Sequence, residues 1–262
     1  MQLKFLERND IDKEKWDFCI QNSINPLPYA LSWYLDAVTA GRWAAVVGLE
    51  NERYVAVMPL PWERKYYIRY LKQPIFCQQL GLFSMQKIEE DLWLEFLKIV
   101  EKKFRYASRY HFHVGQEKVI NTLKKKYDFQ TFYTHHLDLQ LSYEQLSKRY
   151  DADKRYHLRQ AAKKYKAGLF QIGSNLKPEQ LYALFEESVS SKIVGGIDKK
   201  AAIIFKKLYQ VLEKIAVCLI FIPLIKMKLR QVFLFFLGRN GTFIFLMQAG
   251  RNIEPIKDDF GF

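Results

Sequence analysis

Three cations stand four residues apart in this chain: Arg155, Arg159 and Lys163. On a helix that spacing puts them on one face. Lys148, Lys164 and Lys166 add charge nearby. Guanidinium groups match phosphate oxygens two at a time, so such a stripe can hold a nucleic-acid backbone or a nucleotide-linked substrate. The same pattern also suits a solvated helix face. Leu158, Ala161, Ala162 and Tyr165 fall on the other side and are expected to pack.

A second group lies in the apolar, amide-rich segment from Gln73 to Ser84. Gln78 and Gln79 can bind a peptide-like or amide substrate, with Phe76 and Phe83 as walls. Trp33 and Tyr34 can line the same cleft, although aromatics at helical spacing also serve as core. His111 and His113 fall on one face of a strand, and His135 and His136 on opposite faces. No third ligand stands at a recognisable spacing, so these histidines read as structural and no metal is expected. Cys77 lacks a local base to make it a nucleophile. The chain has no G-x-S-x-G elbow and no G-x-x-x-x-G-K-[ST] loop, which removes those hydrolase and P-loop readings.

Composition sets the setting for these groups. Of 262 residues, 49% are hydrophobic, enough for a packed core. Lys and Arg number 41 against 28 Asp and Glu, a net charge of +13. That surplus favours anionic partners. Three unpaired cysteines (Cys19, Cys77 and Cys218) suit a reducing compartment. The charged N-terminus lacks an apolar signal-peptide core. The most apolar stretch, Ile215 to Leu237, is interrupted by Lys226, Lys228 and Arg230. It reads as two buried strands rather than a membrane span. A cytoplasmic protein without a transmembrane segment is therefore expected.

The elements that must position these residues are legible in outline. Leu3–Leu6 reads as a strand, then a helix to Ile20 capped by Asn9 or Asp10. A second helix runs from Tyr29 to Ala40, with Gly41 ending it. Strands follow at Trp43–Leu49, at Tyr54–Met58 (ended by Pro59 and Pro61) and at Tyr66–Leu71. Ser84 is expected to cap a helix from Gln86 to Phe104. Strand Tyr110–Val114, helix Glu117–Lys126 and strand Phe129–Leu139 complete the first half. Ser142 to Lys166 is a basic helical connector. Beyond it come strand Gly168–Ile172, helices Pro178–Ser191 and Lys199–Ile215, and strands Ala216–Leu224, Leu229–Leu237 and Thr242–Gln248. Gly238-Arg-Asn-Gly241 signals a tight hairpin.

The resulting order, β-α-α-β-β-β-α-β-α-β followed by β-α-α-β-β-β, resembles two units of the GNAT acyltransferase fold. With the basic segment between them, the chain is similar to the Fem-type aminoacyltransferases, which extend peptidoglycan cross-bridges. Three stretches carry the likeness: Leu31-Ser-Trp-Tyr34, Gln73-Pro-Ile-Phe-Cys-Gln-Gln-Leu-Gly81, and Lys154-Arg-Tyr-His-Leu-Arg-Gln-Ala-Ala-Lys163 with Lys166-Ala-Gly168. The resemblance implies an α/β (α+β) protein with mixed, mostly antiparallel sheets. Its parts would be a first GNAT-like unit at 1–140, the connector at 141–167 and a second, truncated unit at 168–262. It implies transfer of an acetyl or aminoacyl group to a small-molecule or peptide-like amine, from acetyl-coenzyme A or aminoacyl-tRNA. The alternative is a non-catalytic GNAT-like module that binds nucleic acid or an acidic partner. The Q/R-x-x-G-x-G/A run of coenzyme A users is absent after Leu71. Gln248-Ala-Gly-Arg-Asn-Ile-Glu-Pro255 matches it only in part.

Overall fold

A computed structural model describes residues 1–114, 116–123, 129–133, 141–169, 177–189, 197, 200–215, 218–221, 224–225, 228–229, 231–237 and 243–250. It is an α+β protein with a six-stranded mixed sheet and eight helices among the described residues. The chain divides into two compact units, Met1–Tyr133 and Thr134–Phe262.

The first unit begins with strand β1 (Gln2–Glu7), helix α1 (Lys13–Gln21) and helix α2 (Ser32–Thr39). The cap of α1 is Asp12, not Asn9 or Asp10, because a 3-10 turn at Arg8–Asp10 intervenes. Asp12 accepts from the Glu14 and Lys15 amides, at 3.1 Å each, satisfying two of the free donors of the first turn. Trp16, Cys19 and Ile20 recur at helical spacing and are the buried face of α1. Helix α2 starts later than the sequence suggests, since Pro28–Ala30 forms its own 3-10 turn. Its first amide and hydroxyl, both from Ser32, donate to the Asp17 carboxylate of α1 at 2.7 and 2.8 Å. Burial nonetheless raises the Asp17 pKa. The helix ends with Ala40 as C-cap at φ 53°, and Gly41 follows as the C′ residue at φ 76°, as the sequence suggests.

Strands β2 (Trp43–Glu50), β3 (Arg53–Lys65) and β4 (Ile68–Lys72) form an antiparallel meander, with β1 beside β2. Six consecutive residues of β2 are buried, so both faces of the sheet are covered. Trp43 meets Trp16 of α1 at 5.1 Å between ring centroids. Val46, Met58 and Leu60 instead pack with Trp93, Phe96 and Val100 of α3 (Glu90–Lys103). Helix α3 begins after Glu89, not at Ser84, which lies in the short strand β5 (Phe83–Ser84) beside β3.

Strand β3 does not stop at its prolines. The Trp62 amide donates to Arg42 across from β2 at 3.0 Å. By the alternation of an antiparallel ladder, the nitrogens of Pro59 and Pro61 therefore face away from β2. On that side β4 pairs only with residues 62–65 and β5 only with residues 56–57. The prolines occupy the gap, where no ladder bond is lost. Tyr66 and Tyr67, expected in a strand, instead form the turn between β3 and β4.

After α3, strand β6 (Ala107–Arg109) joins β4 in parallel. Tyr110–Val114 was the expected strand; the ladder sits earlier, with a further bridge between Leu80 and Phe112. Helix α4 is Glu117–Leu123. Residues 129–133 have no regular structure, and the rest of the expected strand to Leu139 lies outside the described residues, as do His135 and His136.

In the second unit the basic connector is two helices, α5 (Tyr143–Lys148) and α6 (Ala152–Lys166). Ser142 and Gln145 make a reciprocal capping box on α5, and Asp151 caps α6. Helices α7 (Pro178–Val189) and α8 (Ala201–Ile215) follow, with a Lys206–Glu179 ion pair between them at 2.9 Å. Then come β7 (Cys218–Phe221), β8 (Leu224–Ile225), β9 (Lys228–Leu229), β10 (Gln231–Leu237) and β11 (Phe243–Gly250). The sheet order is β11-β10-β7, all antiparallel, and β8 pairs with β9. The Gly238–Gly241 signal and most of the expected strand Gly168–Ile172 lie outside the described residues.

One polar hub ties the start of the first unit together. Asp36 accepts from Arg8 at 3.0 and 2.9 Å, from Lys13 at 2.7 Å and from Trp43 Nε1 at 2.9 Å. Burial opposes its ionisation, but these donors outweigh that and hold its pKa down to about 2. Asp36→Ala should cost about 1–3 kcal/mol in urea unfolding at neutral pH. The folded pKa is below the unfolded value of about 3.9, so this contribution is complete above about pH 4 and fades as the pH falls toward 2. The difference between wild type and variant should shrink accordingly at pH 2.

Candidate functional site

The parallel strands β4 and β6 shift register between Leu71 and Lys72, still pair at Lys72 with Arg109, and part beyond Gln73. The chain leaves β4 at Gln73 and returns at Leu80, so residues 74–79 form a loop between the parting strands. Gln73 spans the gap. Its amide N–H donates to Arg109 at 2.8 Å. Its side-chain Oε1 accepts from the His111 amide at 3.1 Å, and its Nε2 donates to the Cys77 carbonyl at 2.9 Å. Leu80 then resumes the pairing: its N–H donates to His111 and its carbonyl accepts from His113, each at 2.7 Å.

Two buried phenols fix the loop from the other side. Tyr34 of α2 donates to the Phe76 carbonyl, and Phe76 holds a left-handed backbone at φ 63°. Tyr110 donates to the Pro59 carbonyl at 2.7 Å and accepts from the Gly81 amide at 3.1 Å. Burial pushes both phenol pKa values well up, so both stay protonated donors. Gly81 has φ 118°, and a Cβ there would stand 2.5 Å from Gln116 Oε1, so a side chain would be strained and would displace the Gln116 amide. Burial likewise raises the Cys77 thiol, which leaves it a poor source of thiolate.

The loop presents Gln78 exposed and Gln79 half-buried. Neither side-chain amide is paired with a described residue. The Gln78 carbonyl meets His111 Nδ1 at 3.1 Å. A carbonyl can only accept, so Nδ1 carries a proton; in the neutral ring Nε2 then has the lone pair. Trp33 is half-buried against Tyr34, with ring centroids 5.4 Å apart. Trp33, Tyr34, Gln78 and Gln79 therefore belong to one region of the first unit, linked through the bond from Tyr34 to Phe76. His113 is occupied differently: Nδ1 lies 2.6 Å from the Val114 carbonyl and Nε2 lies 2.9 Å from Gln116 Nε2.

The second unit carries Arg155, Arg159 and Lys163 along α6, about 6 Å apart per step along the axis. Arg155 donates to the Tyr150 carbonyl at 2.6 Å. Arg159 and Lys163 are exposed and unpaired among the described residues. The expected packing face is not buried. Leu158 is 44% exposed and Tyr165 52%, and no residue of α6 is buried. The helix is held by its Asp151 cap and by local pairs such as His157 with Asp153 at 3.2 Å.

The electrostatics bear on the donor. Helix α3, which follows the β4 segment, opens with Glu89, Glu90 and Asp91. Acidic side chains there oppose the anion that a bare helix N-terminus attracts. Among the described residues no group of three or more His, Cys, Asp or Glu can hold a metal ion, and no helix is long and apolar enough to cross a membrane. Compared with protein-family models, curated proteins and solved structures, the chain matches none.

Sequence reasoning missed Gln73, Tyr110 and the outward nitrogen of His111. The only signal for them was polar residues inside an apolar segment, Gln73 after a strand and His111 between aromatics. Tyr110→Phe should leave the Gly81 amide and the Pro59 carbonyl without their partner and cost about 1–3 kcal/mol. Urea unfolding measures this, and a loss below the error of the fit would mean the phenol bonds do not hold the loop.

Proposed function

We propose that the chain is an acyltransferase of GNAT or Fem type, transferring an aminoacyl or acetyl group to an amine. The observation that carries this reading is the parting of β4 and β6, with two unpaired amides on the loop that fills the gap and the His111 imidazole, beyond β6, against it. The element order supports it too: α1 and α2 precede the meander β2-β3-β4, and α7 and α8 precede the antiparallel strands β7, β10 and β11. Both are helix pairs followed by three-stranded antiparallel sheets, as a tandem GNAT architecture with a shortened second unit requires.

In this reading His111 Nε2 takes the proton from the acceptor amine, which attacks the acyl carbonyl. The new C–N bond forms as the C–O bond to a tRNA ribose, or the C–S bond to coenzyme A, breaks. The leaving oxygen or sulfur takes up the proton. Gln78 and Gln79 orient the acceptor, and Trp33 and Tyr34 wall the region. The acidic start of α3 favours the tRNA donor over coenzyme A. Both donors belong to the cytoplasm.

A second reading, a module that binds nucleic acid without catalysis, is favoured by α6 alone. Single-turnover transfer to an amine acceptor, with charged tRNA and with acetyl-coenzyme A, separates the two. His111→Gln should lower transfer by about 100-fold or more. Arg159→Ala should weaken tRNA binding at every sequence and reduce the log–log salt slope by about 1. Salt-sensitive tRNA binding with no transfer from either donor would establish the binding module instead.

A further inference from the structure

The two tight turns of the first sheet solve one geometric problem with different residues. A two-residue hairpin loop of this kind needs positive φ at both central positions. Between β2 and β3 the turn uses Asn51 and Glu52, at φ 47° and 62°. Between β3 and β4 it uses Tyr66 and Tyr67, at φ 48° and 65°, flanked by the pair Lys65 and Ile68. Bulky side chains resist that conformation, and asparagine and glycine would adopt it with less strain. The rings gain nothing from burial in return: Tyr66 is 83% exposed and Tyr67 94%. Strain held at an exposed, apolar apex calls for a role outside the fold.

The apex has company. Ile68 is 61% exposed, and Tyr70, two residues on and so on the same strand face, stacks with Tyr106, itself 60% exposed. Arg64, Lys65 and Arg105 are exposed and make no ion pair with a described residue. Lys65 Nζ lies 5.4 Å from the Tyr66 ring centroid. The acids of the adjoining strands are paired: Glu63 with Arg42 at 2.9 Å and Glu7 with Arg69 at 2.8 Å. The hairpin itself, from Arg64 to Tyr70, is aromatic and cationic and contains no acid.

We propose that the β3–β4 hairpin tip is a foot that seats on an anionic lipid surface. Tyrosine rings sit well at the headgroup level, where one end is apolar and the other wet. Lys and Arg beside them meet lipid phosphates, each adding a modest attraction. Ile68 decides between lipid and nucleic acid. It has no face on which a base can stack, and a convex turn inserts into a headgroup layer more readily than it cradles a strand. This inference is independent of the transfer reaction, since it uses no residue of the loop or of α6.

The test replaces the strained pair with the residues the turn prefers. Wild type should co-sediment with vesicles of mixed phosphatidylcholine and phosphatidylglycerol and less with phosphatidylcholine alone. The double variant Tyr66→Asn, Tyr67→Gly should bind the mixed vesicles about tenfold or more weakly, while its melting temperature stays level or rises. Arg64→Ala with Lys65→Ala should narrow the difference between the two vesicle types. The proposal fails if wild type ignores the anionic vesicles, or if the double variant binds them as well as wild type. It fails also if the variant melts lower, since the rings would then serve the fold. Binding of a single-stranded oligonucleotide that is lost in the double variant, without vesicle binding, would assign the tip to nucleic acid instead.

Discussion

The side chain of Gln73 does the work of a peptide group. Where β4 and β6 separate, a regular ladder would offer one donor and one acceptor, and the Gln73 amide supplies both, to the Cys77 carbonyl and the His111 N–H. Glutamate could accept but, ionised, could not donate; a lysine could donate but not accept. Asparagine has the right groups on too short a stem. The residue is buried, so each of its partners would otherwise be an unpaired polar group in a dry interior, a cost of about 1–3 kcal/mol apiece. The positions of Gln78, Gln79 and His111 all follow from this one substitution of side chain for backbone.

Around it the first unit separates neutral polarity from charge. Inside, Tyr34, Tyr110 and Cys77 are kept protonated by burial, and their hydroxyls and amide neighbours settle the backbone of the loop. At the other end, the ionised Asp36 gathers Arg8, Lys13 and the Trp43 indole from three different elements or turns. A loop held by neutral donors keeps its geometry as the pH changes, whereas the Asp36 hub does not.

The succession of helices and strands was legible because apolar periodicity is strong here: Trp16, Cys19 and Ile20 on α1, Trp93, Phe96 and Val100 on α3. The boundaries were harder to place, since Asp12 competes with Asn9 and Asp10 for the same cap and only the intervening 3-10 turn decides. Tyr66 and Tyr67 have the composition of a strand and the conformation of a turn, so a reading by propensity misplaces them. The stripe Leu158, Ala161, Ala162 and Tyr165 has the spacing of a packing face, yet α6 buries none of it. The amides Gln78 and Gln79 could be named from the sequence. The partners that hold them could not, because Gln73, Tyr110 and Pro59 come from separate strands whose meeting depends on register.

Pro59 and Pro61 bear on that register in another way. Both nitrogens face the gap between β4 and β5, which is the one orientation in which a residue without an N–H is harmless. Slide β3 by a single residue against β2 and the two nitrogens turn inward, facing β2 carbonyls with nothing to donate. The mispaired sheet would forfeit two rungs at its centre while also turning Met58 and Leu60 outward. The prolines thus act as a proofreading device during assembly: they leave the correct alignment untouched and penalise its nearest competitor.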